Sequence, residues 1–252
     1  MTDKYVTLAG LAGDLADLGW KRPKVLDAAA ATWAAARSTT RNRPAPADVP
    51  LTPDNVVGVM TDYAIDLAAA EHRAAALAQV DGRLALDVRV ALRADAANIH
   101  KAMAKRYDAL AATFVEALPL VPPGMDPVSL VDAGGEVVDA ANTLRRTALE
   151  LDRIVALRAS LARVLGDPDD KAPEPLRWVA TDDDVVRVWP RLIESWSHAE
   201  RWRKTTESGF RLRYVTPVDA DAAADLLRAA SDRSRADAAR RQAEPPSVVV
   251  FS

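Results

Sequence analysis

Glu194 and His198 stand four residues apart in a stretch with helical character, which sets both side chains on one helix face, as a metal pair or an acid–base pair requires. Carboxylate di-iron centres instead use a Glu-x-x-His step of three and add further carboxylates from facing helices, and the chain has no such set. The pair reads as a solvated surface pair. His72 and His100 have no companions at ligand spacing. Asp167, Asp169 and Asp170 offer oxygens to a hard cation, but the loop lacks the glycine and final glutamate of an EF-hand and contains Pro168. It reads as a polar linker. Asp182, Asp183 and Asp184 fit the start of a helix, where carboxylates complement the exposed N–H groups.

Gly10 and Gly13 do not complete a dinucleotide fingerprint, because the third glycine is missing and no strand precedes them. A phosphate-loop Gly-Lys-Ser/Thr, a Gly-x-Ser-x-Gly elbow and a His-Glu-x-x-His motif are all absent from the chain. With no cysteine, disulfides, thiolate metal sites and a cysteine nucleophile drop out together. The expectation is a protein that is not an enzyme and that has no catalytic, cofactor-binding or metal-binding residues.

One cluster points to a partner. Trp189, Trp196 and Trp202 are interleaved with Arg201, Arg203 and Lys204 and followed by Arg211 and Arg213, a mixture able to hold phosphates and stack bases. Between Arg187 and Val215 only Glu194, Glu200 and Glu207 oppose seven basic residues, Arg187 and Arg191 among them. The competing reading makes Trp189, Ile193 and Trp196 one buried helix face, with arginines solvating the other.

These residues must be positioned by helices. From Val56 the residues Val56, Met60, Tyr63, Leu67, Ala70, Ala74 and Leu77 follow alternating steps of four and three, an unbroken heptad seam. A second seam runs through Val137, Ala141, Leu144, Ala148, Leu151 and Val155. At Arg158 the strict heptad meets a charge, and the stripe moves to Ile154, Leu157, Leu161 and Leu165, which favours a bundle over a two-stranded coiled coil. The first helix starts near Thr52 and is interrupted at Asp81-Gly82. A face from Leu84 through Val88, Leu92, Ile99, Met103, Tyr107 and Phe114 then resumes to Leu118. The alternation of Leu84, Leu86, Val88 and Val90 after Asp-Gly also admits a β-hairpin. Prolines from Pro119 to Pro127 turn the chain back, and Gly166-Asp167-Pro168 stops the helix from Val128 to Leu165.

Before the seams, Val6–Leu18 and Pro23–Ser38 form a short helical hairpin, closed off by a connector holding Pro44, Pro46, Pro50 and Pro53. After them, Leu176–Ala180, Phe210–Tyr214 and Ser247–Phe251 read as strands of a small C-terminal α/β unit, with helices at Asp184–Glu207 and Val218–Ala243 between them. The fold class is mainly α: a long antiparallel helical hairpin or bundle at 51–166, an N-terminal hairpin at 1–50 and an α/β unit at 167–252.

Composition agrees with helix packed on helix, for the chain is 49% hydrophobic but only 5% aromatic. Much of the apolar content is alanine, the best helix former. A net charge of -3 gives no global field toward nucleic acid or an anionic membrane, and no apolar run is long enough to span a bilayer. The Ala, Arg, Asp and Val bias suggests a GC-rich genome, actinobacterial or phage. The reading is a cytoplasmic or phage-particle structural or adaptor protein that assembles with itself or another protein through its seams. The alternative is a nucleic-acid-binding accessory subunit using the Trp/Arg cluster.

Overall fold

A computed structural model describes residues 4–38, 52–124, 127–166, 177–178 and 198–243. It is mainly helical, with eight α-helices and one 3₁₀ turn among the described residues, and it separates into two compact units between Ile99 and His100. The proline-rich connector falls on residues 39–51, outside the described ones.

In the first unit α1 (Lys4–Asp17) and α2 (Lys24–Ser38) both pack on α3 (Val56–Ala94). Leu8, Leu11, Ala12 and Leu15 repeat at three, one and three and are buried, as are Leu26, Ala29 and Trp33 of α2 and Leu84, Ala85, Val88 and Leu92 of α3. Asp81 fixes the start of α1: its carboxylate accepts the backbone N–H of Lys4 at 3.2 Å and of Tyr5 at 2.9 Å. Those donors have no partner inside their own helix, and the negative charge suits the positive end of the helix dipole. At the other end the Trp20 indole N–H donates to the Asp95 carboxylate. Helix α1 therefore lies alongside α3 and runs in the same direction, from Asp81 to Asp95. Helix α2 returns, bringing the Trp33 ring to 5.4 Å from Tyr5.

The expected interruption at Asp81-Gly82 and the rival β-hairpin at Leu84–Leu92 are both corrected, since α3 is helical throughout. Burial of Leu84, Val88 and Leu92 against α1 and α2 outweighs the turn preference of Asp-Gly, and the Asp81 side chain caps a different helix. The helix stops instead at Asp95, with φ −111° and ψ 15°.

Helix α4 (Ala96–Ala117) follows, with Ile99, Met103, Tyr107, Ala111 and Phe114 buried, and ends in a 3₁₀ turn at Leu118–Leu120. The return expected as one helix from Val128 to Leu165 is two, α5 (Pro127–Asp132) and α6 (Gly135–Leu165). The break lies at Gly134, whose φ of 96° and ψ of 170° fall in a region open to glycine. Gly166 ends α6 in the left-handed conformation with φ 67°, as its position in the sequence suggests. Helix α7 (His198–Glu207) packs on α6. Helix α8 (Pro217–Ala243) opens on Thr216, whose hydroxyl accepts the Asp219 N–H at 3.3 Å and donates to the Asp219 carboxylate at 2.8 Å.

No strand element forms among the described residues. Phe210–Val215 is extended, with a single bridge residue at Leu212. The Arg213 N–H donates to the Trp178 carbonyl at 3.0 Å and the Val215 N–H to that of Arg177 at 3.1 Å. The rest of the expected Leu176–Ala180 strand, and all of Ser247–Phe251, lie outside the described residues.

Candidate functional site

The densest chemistry in the second unit surrounds a residue that the heptad pattern marks as misplaced. Arg158, on α6, is 1% exposed. Its guanidinium lies 5.2 Å from the Trp178 ring centre and 5.1 Å from that of Tyr214, close enough for cation–π attraction to both. It also donates to the Arg177 carbonyl at 3.3 Å and to the Val215 carbonyl. A charge is expensive to bury, and here two aromatic faces and two carbonyl dipoles offset that cost.

Tyr107 of α4 closes the cage. Its ring is 5.8 Å from Trp178, 6.1 Å from Trp202 and 6.2 Å from Tyr214, and its hydroxyl donates to the Trp178 carbonyl at 3.3 Å. Tyr214 reaches His100, with the hydroxyl 2.6 Å from Nδ1, and its backbone N–H donates to the Asp108 carboxylate at 2.9 Å. The arrangement ties α4, α6 and the extended segment into one core. Trp178 and Tyr214 are read from sequence as strand residues, and Arg158 only as a break in the seam.

Burial pushes the Tyr107 phenol well above its ordinary 10.0; Arg201 draws it down, and Asp108 and Asp152 raise it further. The folded state therefore keeps its proton at pH values where the unfolded state loses one. Stability from this group is complete below pH 10 and falls as pH rises toward the folded value, by up to about 1.4 kcal/mol per pH unit. We expect the urea midpoint to drop between about pH 10 and 11, and Tyr107→Phe to flatten that slope. An equal slope in both proteins would show that Tyr107 ionises freely.

The sequence-predicted partner residues fall into different surroundings. Trp189 and Trp196 lie outside the described residues, as do Glu194, the His198 side chain and the aspartates at 167–170 and 182–184. Trp202 is 2% exposed and donates its indole N–H to the Asp152 carboxylate at 3.1 Å. Arg201 pairs with the same carboxylate and lies 4.6 Å over the Trp202 ring. Arg203 donates to the Val121 carbonyl at 2.9 Å, and Lys204 pairs with Glu200 at 3.1 Å. Arg211 and Arg213 are exposed and line a groove of about 350 Å³ with Asp108, Val115 and Thr206. Trp202 is thus part of the core and Arg211 part of the surface.

No family model, curated protein or solved structure matches this chain.

The two seams also differ. On α6, Leu144, Ala148 and Leu151 are buried, and so are Ile154, Leu157, Leu161 and Leu165, along the shifted stripe. On α3 no residue before Leu84 is buried. Met60 is 57% exposed, Tyr63 and Leu67 are half-buried, Val57 beside the seam is 74% exposed, and Ile65 on the far side of the helix is 62% exposed. Beside the seam, and sharing its Val56 and Met60, a shallow groove is lined by Val57, Thr61, Ala64, Ile65 and Ala68. It is an apolar face on the surface of the first unit, larger than the scattered apolar residues that a surface ordinarily shows. Among the described residues no helix is long and apolar enough to cross a membrane, and no cluster of three metal-ligating side chains occurs.

Proposed function

We propose that the chain is a non-enzymatic structural or adaptor protein that assembles with other protein through the α3 seam. One observation carries this reading: an unbroken heptad run, Val56 to Leu77, lies at the surface of the first unit although heptad spacing is the pattern of a helix that meets another helix. The second unit supplies a rigid body. In it α4 and the α5–α6 return form the antiparallel hairpin of a small bundle, bound by the Arg158 cage and closed by the C-terminal segments. The seam on α6 is spent inside this bundle, and the seam on α3 is left for a partner within a larger assembly.

Leu67→Asp tests the reading. Leu67 is half-buried, so the variant should melt within about 0.5 kcal/mol of the parent as a monomer. It should lose association, whether with itself or with a partner added from the native source, because the charge would be buried unpaired in the contact. Sedimentation velocity and differential scanning calorimetry give both readouts. A collapse in monomer stability places the seam inside the chain's own core, and unaltered association removes its role; either result ends the proposal.

A nucleic-acid role is the second reading, and the exposure of Arg211 and Arg213 beside their groove is what favours it. With Trp202 buried, binding would rest on phosphate contacts and weaken steeply with salt.

A further inference from the structure

The seam's own residues specify what covers it. We infer that the partner of α3 is α3 of a second copy, paired antiparallel over Met60–Leu77 about a twofold axis between Ala68 and Ala69; this rests on reading the seam as an assembly surface.

In the heptad frame Met60, Leu67 and Ala74 occupy position a, and Tyr63, Ala70 and Leu77 position d. An antiparallel pair sets each a opposite a d of the other helix. Centred on Ala68–Ala69, the register places Leu67 opposite Ala70, Tyr63 opposite Ala74 and Met60 opposite Leu77, each twice by symmetry. Two of these three layers set a large side chain against alanine, the complementary packing that fills space between two close helices. The parallel in-register pair would stack Tyr63 on Tyr63 and Ala70 on Ala70, crowding one layer and leaving a void in the other.

Charge selects the same arrangement. Asp66 and Arg73 both occupy position g and are exposed. In the antiparallel register g faces g, so Asp66 of each copy meets Arg73 of the other, forming two symmetric ion pairs. Val59 and Val80, also at g, meet in the same way and extend the apolar contact outward. The parallel pair would instead set Asp66 against Glu71 of the other copy, a like-charge contact made twice. Orientation in paired helices is commonly fixed by such flanking charges.

The uncovered length matches as well. The seam spans about 30 Å of helix and ends where α1 begins to cover α3, at the Asp81 carboxylate that accepts the Lys4 and Tyr5 N–H groups. Such a contact is isologous, using the same patch on both copies, and it closes at a dimer.

The test exchanges charges across the axis in the full chain, with sedimentation equilibrium as the readout and helicity by circular dichroism as the check on folding. Asp66→Arg and Arg73→Asp should each weaken dimerisation roughly tenfold or more, since each turns two attractive contacts repulsive. The double variant should regain the parent's affinity. A mixture of the two single variants should form a heterodimer, because every contact across the axis is then opposite in sign. A parent that stays monomeric at high micromolar concentration overturns the self-pairing, as does a dimer indifferent to both reversals. A monomeric parent whose association with another protein is still lost on Leu67→Asp would sink the second copy as partner while leaving the assembly role of the seam standing.

Discussion

Arg158→Ala should cost the second unit about 3 to 5 kcal/mol, the range of a large buried truncation that also strands polar groups. The guanidinium sits between the Trp178 and Tyr214 rings and donates to the Arg177 and Val215 carbonyls, and the arginine is buried. Removing it leaves a cavity, takes the guanidinium donor from the Val215 carbonyl, leaves the Arg177 carbonyl with the Val215 N–H alone, and strips two rings of the cation that they face. Arg158→Met separates these losses. It fills most of the volume, so what remains is the loss of hydrogen bonds and of cation–π attraction, about 2 to 3 kcal/mol. Arg158→Lys keeps the charge but not the planar fork that reaches two carbonyls and two ring faces, and should fall between the parent and the methionine variant. Urea unfolding followed by tryptophan fluorescence ranks the three. If Arg158→Ala unfolds within 1 kcal/mol of the parent, the cage is not what holds α4, α6 and the extended segment together.

Arg158 also shows where reading the sequence succeeds and where it ends. Its position breaks the heptad, and the stripe through Ile154, Leu157, Leu161 and Leu165 is buried as the periodicity implies. The partners that make its burial tolerable are 19 and 57 positions away along the chain, and no local pattern points to them. Asp81 gives the same lesson. With Gly82 it reads as a turn, yet its carboxylate serves the first N–H groups of a helix 76 and 77 residues earlier. Local signals of one or two residues were sufficient elsewhere: Pro23 opens α2 and Gly166 in the left-handed region closes α6.

Alternation reports burial more directly than it reports sheet. Phe210, Leu212 and Tyr214 are buried while Arg211 and Arg213 are exposed, the two faces that the sequence pattern gives. The segment is extended because one side lies on the helical core, and two backbone bonds to Arg177 and Trp178 suffice to hold it. A one-sided extended chain and a half-buried strand share a period of two. The seams carry a related ambiguity. Heptad spacing states that a helix face is covered and does not state by what, so the run on α3 and the run on α6 look alike until burial separates them.

Trp202→Ala decides between core and contact surface for the basic C-terminal cluster. The ring is buried beside Tyr107, its N–H donates to Asp152, and Arg201 lies over its face while pairing with the same carboxylate. Deleting it removes the largest side chain between α6 and α7 and leaves the Arg201–Asp152 pair without its apolar support. The expected loss is about 3 to 5 kcal/mol, with Trp202→Phe recovering part of the packing but not the indole bond. Arg211→Ala with Arg213→Ala should instead stay within about 0.5 kcal/mol, since both side chains are exposed. Thermal melts of the three variants, paired with a salt-dependent binding assay on single-stranded DNA and RNA, separate the roles. A stable Trp202→Ala protein that has lost nucleic-acid binding would make the tryptophan a stacking platform and overturn its assignment to the core. An unstable one, beside a stable arginine pair, leaves Arg211 and Arg213 as the part of the cluster free to meet a phosphate, and leaves α3 as the apolar face free to meet another helix.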